Sequence, residues 1–233
     1  MSREHHIYAL LKFFSNETYL NELLSGKFYC NSPEFYRNHD AVGVGDRNES
    51  CASSFRISRD SNTPKLSING IDVEGLQTLT IHNNQIKDKW MHCWFAIAKP
   101  ETDDDFAGLI QDINRMRKEF GNNYAVLDGV HIQKVVDALK SSSDKDVVHG
   151  HIGYSSNKNE WSAICKSLDY EYQREYRFLI GNCHHLETNN LDLNIPENIS
   201  KYIGKNLPLR MNDANTGEIL FELTPQHFKS LND

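Results

Sequence analysis

The sequence predicts an α+β domain with mixed, mainly antiparallel sheets and flanking helices. Segments rich in β-branched and aromatic residues outnumber those with helical spacing. The two kinds do not alternate regularly, as a doubly wound fold requires. An Asn69-Gly70 pair between apolar runs marks a β-hairpin. The length of 233 residues suits one domain, 1–233, with a β-meander inserted at about 51–88 and a C-terminal extension at about 186–233.

The elements follow in order. His6 to Phe14 is an apolar run whose only charge is Lys12, and it reads as a first strand. Ser15 caps a helix over Thr18 to Ser25, with Tyr19, Leu20, Leu23 and Leu24 at helical spacing and Gly26 as the stop. Lys27 to Asn31 is a second strand. Ser32-Pro33-Glu34 opens a short helical turn through Phe35 and Tyr36, with Pro at a first-turn position. Arg37 to Ser50 is polar, holds Gly43 and Gly45, and reads as a mobile loop. Alternation over Ser53 to Ser58 and Leu76 to His82, around the hairpin, makes the meander.

Trp90 to Ala98 is a buried strand. Asp103-Asp104-Asp105 begins a helix carrying Phe106, Leu109, Ile110, Ile113, Met116 and Phe120, and Gly121 ends it. A strand over Tyr124 to Leu127, a helix over His131 to Lys140 and a strand over Val147 to Tyr154 follow. Glu160 to Leu168 places Trp161, Ile164, Cys165 and Leu168 on one helical side. Leu191 to Ile195, Leu207 to Met211 and Glu218 to Leu223 read as strands. Pro196 to Ile203 reads as a helix, and Thr224-Pro225 as the cap of a last one.

Hydrophobic residues make up 39% and charged residues 24%, enough for a core and against global disorder. No apolar run reaches membrane-spanning length, and Met1 to His6 lacks an apolar signal core, so a cytoplasmic, non-membrane protein is expected. Five widely spaced cysteines predict free thiols and no disulfide. The net charge of −7 argues against a broad nucleic-acid surface. His149-x-His151 and His184-His185 lack the further ligands a metal site needs, so no metal is expected. There is no nucleophile elbow, and Gly43-Val44-Gly45 lacks a third glycine at phosphate-loop spacing.

One stretch draws chemical interest. Tyr170 to Gly181 reads as a strand. Alternation puts Gln173, Glu175, Arg177 and Leu179 on one face, about 7 Å apart at successive positions. A carboxylate on such a strand is costly unless paired or used. Pairing with Arg177 or a neighbouring strand is the structural alternative. Lys12 is open to two readings, a ligand or a snorkelling lysine. Trp90, Trp94 and Tyr36 read first as core, and Arg37 and Arg47 as surface, although a loop with both could clamp a diphosphate.

In order, Tyr8…Lys12-Phe13, Leu23-Leu24-Ser25-Gly26-Lys27-Phe28-Tyr29, Asn31-Ser32-Pro33…Phe35, Cys93-Trp94-Phe95 and Gln173-Arg174-Glu175-Tyr176-Arg177 resemble a large uncharacterised bacterial domain family. That family is common among abortive-infection and phage-defence genes. The same layout is similar to mono-ADP-ribosyltransferases. The resemblance spans roughly residues 7–181. It implies a cytoplasmic toxin that transfers ADP-ribose from NAD to a macromolecular acceptor, protein or nucleic acid, with an antitoxin protein as a further partner. Glu175 would be the catalytic glutamate, stabilising the oxocarbenium-like transition state, and Gln173 would orient the acceptor. Lys12, Asn31, Ser32, Tyr36 and Arg37 would bind NAD. The family's asparagine-aspartate-proline is not intact here, and Trp94-Phe95-Ala96 replaces the expected phenylalanine-serine, removing a middle-strand hydroxyl. A non-catalytic sensor or binding module is the competing expectation.

Overall fold

A six-stranded antiparallel sheet organises the chain, its strands lying side by side in the order Ile203–Lys205, Asn123–Asp128, Ile7–Phe14, Trp90–Ala98, Glu175–Ile180 and Val147–His151. The computed structural model describes residues 6–82, 87–226 and 228–230. In chain order the first half comprises β1 (Ile7–Phe14), α1 (Glu17–Leu24), β2 (Lys27–Cys30), α2 (Pro33–Arg37), β3 (Ser53–Arg56), β4 (Ser67–Ile68), β5 (Ile71–Asp72), β6 (Thr78–Ile81), β7 (Trp90–Ala98) and α3 (Asp103–Phe120). The second half comprises β8 (Asn123–Asp128), α4 (Ile132–Ser141), β9 (Val147–His151), β10 (Gly153–Ser155), β11 (Cys165–Ser167) and β12 (Glu175–Ile180). It ends with β13 (Leu191–Asn194), α5 (Glu197–Ser200), β14 (Ile203–Lys205), β15 (Leu209–Asn212), β16 (Ile219–Leu223) and β17 (Phe228–Ser230). The expected α+β class with mainly antiparallel pairing is present.

The sheet buries both faces. Leu10, Trp94, Tyr176 and Phe178 meet Leu20 and Leu23 of α1 and Val135, Val136 and Leu139 of α4. On the other face, Leu11, Phe13 and Phe95 meet Leu109, Ile110, Ile113 and Met116 of α3. Phe221 and Leu223 of β16 join that second cluster, so the C-terminal part helps close the core. α3 does not cover the second face alongside β12. There a polar cluster takes its place.

Side-chain caps start α1, α2 and α3. Thr102 and Asp105 form a reciprocal capping box on α3. Ser32 Oγ accepts from Phe35 N at 3.2 Å, and Pro33 occupies the first turn of α2. The cap of α1 is Asn16 rather than Ser15, its Oδ1 accepting from Thr18 N at 2.9 Å. Gly26 takes φ +98°, and a Cβ there would stand 2.4 Å from Ile195 O.

Several elements differ from expectation. Residues 160–168 do not form a helix: a 3₁₀ turn over Lys158–Glu160 leads to β11, which pairs in parallel with β10. The expected strand from Tyr170 starts only at Glu175, because Leu168–Gln173 is 3₁₀ and Arg174 is left-handed at φ +39°. Short apolar runs do not separate strand from helix by periodicity alone. The expected meander is nested: β3 pairs with β6, and the β4–β5 hairpin lies between them. The helix expected over 196–203 is only α5, followed by β14. After Thr224-Pro225 the chain forms β17, not a helix. No described helix is long and apolar enough to cross a membrane.

Candidate functional site

Two features lie near the Gln173–Arg177 segment. One is a buried cluster of charges. The other is a groove across the end of the main sheet.

The cluster is built around β12. Glu175 Oε1 meets Lys166 Nζ at 2.7 Å, and Glu175 Oε2 meets Arg177 Nε at 2.7 Å. Arg177 continues to Glu49 through a two-pronged pair at 2.8 and 3.0 Å and donates to Ala163 O at 2.9 Å. Lys166 also donates to Gln173 Oε1 at 2.9 Å and lies 3.4 Å from Glu49 and 4.0 Å from Asp46. Gln173 Nε2 donates to Gly43 O at 2.6 Å. Glu175, Gln173, Lys166, Arg177, Glu49 and Asp46 are all buried.

A second charged group adjoins it. Arg37 donates to Glu49 O at 2.7 Å and pairs with Glu34 at 2.8 Å and Asp88 at 2.9 Å. Arg56 donates to Glu34 Oε1 at 2.8 Å. The 38–50 segment is a loop, as expected, and Glu49 and Asp46 point inward from it to Arg177 and Lys166. Arg37, expected at the surface, is 1% exposed, because α2 turns it towards Glu34 and Asp88.

Electrostatics follows from this crowding. Burial pushes the Glu175 carboxyl up, but the Arg177 and Lys166 charges outweigh it and hold it well below the usual range. Burial lowers Lys166 and Arg177, and the carboxylates of Glu175 and Glu49 more than reverse that, so both stay charged. Asp46 is different: burial, then the Glu49 charge, raises its carboxyl to about 6.

The groove has a volume of about 1460 Å³. Its walls come from the start of β1, the end of β7, the end of β9, the turn before α4, α3 and the 168–176 stretch. Tyr154, Tyr172 and Tyr176 line it, with Ile132, Ile152 and Leu168 as apolar surface. His149 Nδ1 lies 2.5 Å from Tyr176 Oη, and both side chains line the groove. Burial lowers the His149 pKa, with the Lys140 charge as a further cause. A smaller pocket of about 430 Å³ lies beside Glu34, Arg56 and Arg59.

The expected site residues scatter over this layout. Glu175 lines the groove, but both its oxygens are engaged and it is 6% exposed. Gln173 lines neither pocket and does not share a strand face with Glu175, since it ends the 3₁₀ turn. Leu11 and Glu175 both lie opposite Phe95, so alternation puts Lys12 on the other face of the sheet from Glu175. β7 separates the two strands, and Lys12 Nζ donates to Cys93 O at 2.8 Å. Burial lowers the Lys12 pKa.

Asn31 bridges to Met91 through its backbone at 2.7 and 3.0 Å. Ser32 caps α2 and donates to Glu187 O. Tyr36 packs against Met91, Ala163 and Leu179. None of Lys12, Asn31, Ser32, Tyr36 and Arg37 lines the groove. Lys166, Glu49 and Asp46 were not expected in the cluster. Lys166 lay in a stretch read as helix, and the two acids lay in a stretch read as loop. No His, Cys, Asp or Glu group among the described residues is arranged to hold a metal ion. The five cysteines are free.

No family model matches the chain, and neither a curated protein nor a solved structure does.

Proposed function

We propose that this chain is a binding module that takes a partner in the groove at the end of the main sheet, with the Gln173–Arg177 segment as its structural backing. The observation that carries this reading is the state of Glu175. A glutamate that stabilises a ribosyl cation must offer a free oxygen to it. Here both oxygens are occupied by Lys166 and Arg177, and the carboxylate is buried. A saturated buried ion cluster of this kind holds segments in place, here the 38–50 loop against β12 and β11. The bacterial defence setting comes from the resemblance of the sequence motifs. In it such a module would sense an invader's component or pair with another protein.

The second reading is the ADP-ribosyltransferase itself, with NAD as substrate and Glu175 and Gln173 as catalytic pair. One observation favours it: Glu175 lies in the wall of the groove, whose volume exceeds the few hundred to ~1,000 Å³ of typical small-molecule sites.

Labelled NAD, incubated with the protein and a bacterial lysate, separates the two. The binding reading expects nicotinamide release at the buffer rate and no label in protein or nucleic acid. Transfer by the parent protein that a Leu168→Arg groove variant loses would establish the transferase instead. Leu168 is 45% exposed in the groove wall, so this variant tests the groove without emptying the core.

A further inference from the structure

The two edges of the main sheet are built differently. β14 is three residues long, carries Lys205, and is followed two residues later by Leu207-Pro208. Such features blunt an edge against pairing. β9 reads Val147-Val148-His149-Gly150-His151, with no proline, lysine or arginine. Among the described residues it pairs in the sheet with β12 alone.

The backbone direction on β9 follows from two hydrogen bonds. Ile152 N donates to Glu175 O at 3.1 Å, and Gly181 N donates to Asp146 O at 2.8 Å. In the β9–β12 register, even-numbered residues therefore turn their amides towards β12. Val147 and His149 turn theirs to the open side. Val148 is 50% exposed, which agrees with an uncovered edge.

The end of β9 runs into the groove, and the charges there are unbalanced. Arg174 is paired with Asp112 at 2.6 Å, and Arg115 with Glu119 at 2.9 Å while lying 3.4 Å from the centre of the Tyr172 ring. Glu175 is paired inward. Asp105, Asp169 and Glu171 are exposed in the same wall, and no ion pair joins them to a cation among the described residues.

We infer that β9 and the groove together receive an extended segment of a partner protein, which adds a strand to β9 and places a basic end among Asp105, Asp169 and Glu171. Main-chain pairing would supply affinity, and the acidic wall would set direction and charge preference. This deepens the binding reading and rests on it.

The probe is a fluorescein-labelled peptide, Val-Thr-Val-Thr-Lys-Lys, beside a copy ending in Glu-Glu. Anisotropy with the parent protein should show binding of the basic-ended peptide, weaker at high salt, and at least tenfold weaker binding of the acidic one. His149→Pro removes an outward-facing amide that the main sheet does not use, and should weaken binding at least tenfold. His149→Ala keeps that amide and loses only the side chain, so binding by His149→Pro should be at least tenfold weaker than binding by His149→Ala. Where His149→Pro fails to fold, a peptide methylated on alternate backbone amides makes the same test on the parent protein. Absence of binding by the basic-ended peptide, equal binding of both peptides, or undiminished binding of the methylated one overturns the inference. The NAD experiment is independent of this outcome, so failure here is distinct from failure of the binding reading.

Discussion

Glu175 and Arg177 stand two residues apart on one face of β12, joined by a 2.7 Å ion pair. Lys166 and Glu49 extend that pair from two other segments. Four buried charges thus compensate one another.

Glu175→Gln should therefore act on folding. Removing one partner of a buried pair leaves Arg177 and Lys166 under-compensated, and a loss of about 3–5 kcal/mol is expected. Urea unfolding followed by circular dichroism measures it. A loss under about 1 kcal/mol would contradict a structural role for this carboxylate.

Asp46 predicts a pH effect of opposite sign. Its carboxyl rises from 3.8 to about 6 in the folded chain. Between those values the folded state binds more protons than the unfolded one, so this group's contribution to stability falls as pH rises. Glu175, whose carboxyl is lowered, instead contributes stability above its unfolded value of 4.5, lost as pH falls. Asp46→Asn isolates the first effect. The variant's stability relative to the parent should increase from pH 4 to pH 7 by up to about 3 kcal/mol. Flat or falling relative stability would show that Asp46 is not held in this environment.

Lys12→Met should be mild. The ammonium serves one carbonyl, Cys93 O, so about 0.5–1.5 kcal/mol is expected. Binding of the basic-ended peptide should not change, since Lys12 lies outside the groove. A large rise in the KM for NAD, in any assay showing turnover, would reinstate Lys12 as a cofactor contact.

Gly26→Ala tests the join between α1 and β2. The added Cβ meets Ile195 O, and φ +98° is unfavourable for alanine. A destabilisation of at least about 1–2 kcal/mol is expected from the backbone alone. A thermal midpoint equal to the parent's would mean that the chain relaxes there at no cost.

The amino-acid sequence by itself determined the elements whose signals are local. The apolar runs of β1 and β7, the amphipathic stripes of α3 and α4, the stop at Gly26 and the Asn69-Gly70 hairpin all depend on neighbours within a few positions. So does the pairing of Glu175 with Arg177, raised at the outset as the structural alternative. What only the tertiary structure decided is long-range. Nothing near Lys166 in the chain announces that its ammonium meets Glu175 and Glu49, because those contacts form only when β11 packs beside the 38–50 segment. Nor does local sequence reveal that Phe95 stands between Leu11 and Glu175, which places Lys12 and Glu175 on opposite faces. The left-handed turn at Arg174 has the same origin. Aromatic and alternating residues favour a strand from Tyr170 onwards. The strand starts instead at Glu175, where burying Gln173 against Lys166 and Gly43 O satisfies polar groups that a straight strand would direct elsewhere.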